Sequence, residues 1–151
     1  MRLIAIITAV LLLAACGLSK QASESSTPSA PATITVSGTI TVSADSMSSE
    51  QAMGGACVTD DGYSDISSGA QVRVEDSAGK VIALAALQAG HVSEVFGPGT
   101  AVEGMAYLCV FGFTVNDVPA EEKIYSVEVT HRGKISFTRE KLNEPIALTL
   151  G

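Results

Sequence analysis

The sequence predicts an all-β domain, a single antiparallel β-sandwich of about seven short strands. Three observations carry that expectation. Apolar and polar residues alternate with a period of two in several separate stretches, the signature of half-buried strands. Clusters of Gly, Pro, Asn and Asp punctuate those stretches at regular spacing. No stretch of any length carries the helical apolar spacing, so the crossover helices that a parallel α/β sheet requires are missing. An abundance of Thr, Val and Ser suits pleated, half-buried surfaces.

Ile34 to Val42 alternates throughout. Ile34, Val36, Ile40 and Val42 share one face with Gly38, and Thr35, Ser37, Thr39 and Thr41 share the other. Residues 44–68 lack strand rhythm and read as a long loop, a feature that in a compact domain is usually functional. Within it Ser48-Ser49-Glu50-Gln51 can cap one helical turn, and Gly54-Gly55 and Asp60-Asp61-Gly62 mark turns. Gln71 to Gln88 reads as a hairpin turning at Asp76-Ser77-Ala78-Gly79. Residues 89–104 form a second predicted loop, with Gly97-Pro98-Gly99 near its centre. From Met105 to Val115 the alternation is strongest: Tyr107, Cys109, Phe111, Phe113 and Val115 share a face and predict the main core strand. Asn116 to Ala120 reads as a turn, Tyr125 to Val129 as a strand, His131 to Lys134 as a tight turn and Ile135 to Phe137 as the returning strand. A single helical turn over 138–142 and a last strand through Ile146, Leu148 and Leu150 close the chain. With no Trp, four Phe and three Tyr, the core must be largely aliphatic.

The N-terminal residues follow a different grammar. Met1-Arg2 is a minimal positive segment, and Leu3 to Ala15 is apolar apart from Thr8 and ends in small residues, as an export signal does. The run is shorter than the ~20 apolar residues of a stable membrane span. Leu13-Ala14-Ala15-Cys16 resembles the lipobox of bacterial lipoproteins at all four positions. That resemblance implies a diacylglyceryl group on the Cys16 thiol and cleavage before it, leaving residues 1–15 as the signal peptide. The protein would then sit on the extracytoplasmic face of the cell membrane, held by its acyl chains. The alternative is a secreted protein whose signal happens to contain a cysteine. Residues 16–33 are rich in Ser, Ala and Pro and poor in large apolar groups, so they predict a disordered tether. Its reach is at most about 50 Å at roughly 3.1 Å per residue. Residues 34–151 then form the sandwich domain.

The whole chain has a net charge of −7, and removal of residues 1–15 takes away Arg2 and no acid, leaving 8 basic against 16 acidic residues. That balance argues against nucleic acid as a partner. With Cys16 assigned to lipid, Cys57 and Cys109 remain. In an exported domain they most simply form a disulfide, with a catalytic thiol or a metal pair as the alternative.

Cys57, Gly62-Tyr63-Ser64-Asp65-Ile66, the run Gly69 to Asp76, Gly79 to Ala83, Cys109 to Phe113, Val118-Pro119 and Tyr125 to Gly133 together resemble a group of small exported actinobacterial lipoproteins of unknown function. The Val72-x-Val74 and Gly79-x-Val81 part also resembles transthyretin-like or carboxypeptidase-regulatory-like sandwiches, with an immunoglobulin-like sandwich analogy at the level of fold. Neither resemblance brings a known chemistry.

Three features are candidates for function. Asp60, Asp61 and Asp65 gather carboxylates on one loop, yet the spacing fails the calcium-loop template because Gln71 stands where the closing Glu belongs, so no metal is expected. His131, Arg132, Lys134, Arg139 and Lys141 form one basic patch, which reads either as a solvated hairpin tip or as a docking surface for an acidic partner. The long loops are the expected binding loops, with Tyr63, Asp65, His91 and Phe96 the side chains of interest. No Gly-x-Ser-x-Gly, His-Glu-x-x-His or phosphate-binding Gly-rich loop occurs, so neither a catalytic residue nor a cofactor is assigned. The function expected is a lipid-anchored envelope module that binds another envelope protein or a glycan. A purely structural or accessory envelope lipoprotein is the alternative, and a hydrolase with an unrecognised site a third.

Overall fold

The computed structural model describes residues 29–44, 53–57, 59, 62–95 and 107–150. Among the described residues eight strands divide between two four-stranded sheets, so the all-β sandwich expected from the apolar alternation is what forms. They are β1 (Thr33–Ala44), β2 (Gln71–Glu75), β3 (Val81–Ala86), β4 (His91–Val95), β5 (Tyr107–Pro119), β6 (Ile124–Val129), β7 (Lys134–Thr138) and β8 (Ile146–Leu150). One sheet has the order β4-β5-β1-β8 and the other β3-β2-β6-β7. A short 3-10 turn, Lys141–Asn143, precedes β8 and buries Leu142.

The core lies between the sheets and takes the inward member of each alternating pair. In β5, Tyr107, Cys109, Phe111, Phe113 and Val115 are all buried, as their shared face requires. Val36, Ile40 and Val42 of β1, Val72 and Val74 of β2, and Tyr125, Val127 and Val129 of β6 complete it. The chain crosses from the first sheet to the second between β5 and β6, and the Tyr125 hydroxyl fixes that corner. It donates to the Pro119 carbonyl at 2.7 Å and accepts from the Glu122 amide at 3.2 Å, satisfying two backbone groups with one side chain.

The structure departs from the sequence expectation in three places. β4 occupies part of the stretch predicted as the loop 89–104. β8 pairs with β1 in parallel, from Gly38↔Ile146 to Val42↔Leu150, whereas every other pairing is antiparallel. Asn116-Asp117-Val118-Pro119 does not turn the chain but lies within β5, paired with β1 as far as Thr33↔Pro119. Asp117 adopts a positive φ of 56° beside a register shift between Ile34 and Val36, so the turn-forming acid makes a β-bulge.

Charge runs in a line across the second sheet. Leu84, Arg73, Glu128 and Lys134 are successive register partners. Arg73 pairs with Glu128, and Lys134 reaches Glu75 at 2.6 Å. Glu75 and Glu128 are 3% and 7% exposed, so these are carboxylates taken out of water and matched by cations.

Candidate functional site

The site is assembled where the β1–β2 connection, the β3–β4 crossover and the β6–β7 turn meet. Residues 53–57 run along the free edge of β4. Gly54 donates to the Val92 carbonyl at 2.8 Å, Val92 donates to the Gly55 carbonyl at 2.9 Å, and Ala56 bridges His91. An edge that would otherwise leave backbone groups unpaired is thereby covered. Cys57 then turns inward and reaches Cys109 of β5, with Cα atoms 5.9 Å apart, as a disulfide. Cys109 is fully buried on the core face of β5, so the bridge ties the connection into the centre of the first sheet.

The next segment folds on itself. Ile66 donates to the Tyr63 carbonyl at 2.8 Å, Ala70 to the Ser67 carbonyl at 3.0 Å, and the buried Thr59 hydroxyl to the Ile66 carbonyl at 2.9 Å. It is clamped from outside by Arg132, at the β6–β7 turn. The Arg132 guanidinium donates through Nε to Asp65 at 2.9 Å, and through a terminal nitrogen to the second Asp65 oxygen and the Gly62 carbonyl. It lies 5.0 Å above the Tyr63 ring. The Thr130 hydroxyl donates to Asp65 at 2.7 Å, and the Thr130 amide donates to Gln71 at 2.8 Å. Thr130 has a φ of 53°, unfavourable for a β-branched residue, and those two bonds hold it there.

The clamp lowers the pKa of Asp65. Its carboxyl is lowered from 3.8 to about 2, first by the hydrogen bond from Arg132, against a smaller opposing effect of burial. The same pair raises Arg132. A depressed carboxylate contributes stability above its unfolded pKa and loses it as pH falls through the folded value. The Asp65 contribution is therefore whole above pH ~4 and gone below about 2. Because the pair is largely exposed, solvent screens it and its worth is that of a surface ion pair. Urea unfolding of Asp65→Asn should show a lower midpoint than the parent at pH 6 and a clearly smaller deficit near pH 2. A deficit that persisted unchanged at pH 2 would contradict the clamp.

Between these segments opens a cleft of about 390 Å³. Its base is buried: Cys57, Thr59, Ile66, Gly90 and Phe111. Ala56, Ser64, Ser67, Ser68 and Ala89 form the exposed rim. Gly90 lies flat on the Phe111 ring, where a Cβ would come within 2.5 Å of a ring carbon, so only glycine lets the crossover pass here.

The candidate residues read from the sequence are distributed around this cleft. Tyr63 and Asp65 come together, but with Arg132 as their partner, and they flank the lining residues Ser64 and Ile66. His91 begins β4, exposed, next to Gly90, and pairs with Val110. Cys16, Ser48 to Gln51, Asp60, Asp61, Phe96, residues 97–99 and Met105 lie outside the described residues. Among the described residues no group of three or more His, Cys, Asp or Glu is placed to hold a metal. The basic patch is partly neutralised from within the chain: Arg132 by Asp65, Lys134 by Glu75 and Lys141 by Glu144. The cleft as a set is not legible in the sequence, because six of its ten lining residues are alanines, serines and a glycine that carry no chemical signature. The chain matches no family model, no curated protein and no solved structure.

Proposed function

We propose that the chain is a lipid-anchored lipoprotein of the cell envelope that displays a small β-sandwich binding module outside the membrane. In this reading acyl chains on Cys16 hold it, residues 16–33 space it from the headgroups, and the cleft takes a ligand presented in the envelope. The observation that supports binding is the cleft, a recess whose walls come from three separated segments and are held by a disulfide and an arginine clamp. Rigidly braced connections on a sandwich are where recognition is commonly built. The reading assigns no reaction and no cofactor.

A structural or accessory role is the second reading. Tyr63 and Asp65, the most distinctive loop side chains, already satisfy one another through Arg132, which favours a loop built for shape.

Thermal unfolding of the full chain against envelope glycans, metal ions and small neutral molecules separates the two. A ligand at a hundredfold excess over its Kd adds about 2.7 kcal/mol of stability. At least one ligand should raise Tm, and Ala89→Trp, which fills the cleft from its exposed rim, should abolish the rise. No rise with any ligand would leave the accessory role standing.

A further inference from the structure

We infer that the cleft selects an uncharged ligand with a compact apolar body and a hydrogen-bonding end; this rests on the binding reading above. Three observations carry it. None of the ten lining residues is ionisable. Asp65, which stands between the lining residues Ser64 and Ile66, is matched by Arg132, whose guanidinium also serves the loop backbone. A charged ligand entering the recess would lose water and meet no counterion among the described lining residues, a cost that favours a neutral one of the same shape.

The base is largely apolar, with Phe111, Ile66 and the disulfide-bonded Cys57, and its Thr59 hydroxyl is spent on the Ile66 carbonyl, so a ligand that is polar all round would lose water there without replacing its hydrogen bonds. The rim supplies the complement. The Ser64, Ser67 and Ser68 side chains have no hydrogen-bond partner among the described residues, and all three border the same opening. Hydroxyls both donate and accept, so they suit a neutral alcohol, carbonyl or amide at the outer end of the ligand. A volume of about 390 Å³ is at the small end of ligand sites and fits a fused-ring or short branched body.

Four probes on the full chain test it, each followed by amide chemical shifts at Ile66 to Ser68 and Ala89 to Gly90: 1-naphthylmethanol, 1-naphthoate, 1-naphthylmethylammonium and cellobiose. Naphthylmethanol should saturate those shifts with a Kd at least tenfold below that of the other three, and Ala89→Trp should remove the response. Tighter binding of a charged analogue or of cellobiose at the same amides would overturn the ligand class while leaving the cleft as a binding site. Silence of these amides toward all four probes overturns the inference. The binding reading falls with it only if the thermal screen also finds no ligand.

Discussion

Replacing Cys57 and Cys109 together with serine should lower the stability of the domain by about 4 kcal/mol, the loss of cross-linking a loop of this length. The two cysteines are 52 residues apart, and the bridge is the covalent tie between the β1–β2 connection and the first sheet. Chemical unfolding should show the midpoint falling by that equivalent, and a reducing agent should bring the parent to the same midpoint. Cys57 forms part of the cleft base, so the double variant should also lose any ligand response under conditions where circular dichroism shows it still folded. A parent whose midpoint is indifferent to reductant, or whose folded form labels with a thiol reagent at both sites, would contradict the bridge.

Gly38→Ala should be nearly as damaging. Gly38 lies in mid-strand where β1 meets β8, opposite Ile146 on one side and Phe113 on the other. A methyl group there would come 2.3 Å from the Ile146 carbonyl oxygen and 2.8 Å from the Phe113 ring. The nearest obstacle is backbone and cannot rotate away, so β8 must shift from β1 or the sheet must bend. Overpacking of this kind costs about 1–3 kcal/mol, and a backbone obstacle places the variant at the upper end. Gly112→Ala is the control, because its methyl group would meet only the end of the Gln88 side chain, at 2.9 Å. Equal unfolding midpoints for the two variants would show that the close approach of β1 and β8 is not what glycine serves.

These features differ in how far the sequence reveals them. β5 and β6 are legible because burial of one face imposes strict alternation, and the Asp76 to Gly79 turn because its chemistry is local. Asp76 accepts from the Ala78 and Lys80 amides at 2.9 Å each, and Gly79 takes a φ of 78°. β4 is hidden by its own bulge. A register shift between Val92 and Glu94 puts its two valines three residues apart, which destroys the period that would have announced it. The parallel pairing of β8 is hidden for another reason: Ile146, Leu148 and Leu150 specify a face, and alternation carries no direction. The clamp joins Arg132 to Asp65 across 67 residues, so a basic turn and an acidic loop that look solvated when read separately neutralise one another in space. The cleft is the least legible feature, since it is defined by where small residues leave room.

Cys16 unites tether, sandwich and cleft in the proposed function, because an anchor there puts the cleft within a tether's length of the membrane surface. Mass spectrometry of the N-terminal peptide of the native protein tests it most directly. The expected N-terminal peptide begins at Cys16 and carries the added mass of a diacylglyceryl group. A mature chain that begins elsewhere, or that begins at Cys16 with an unmodified thiol, would contradict it.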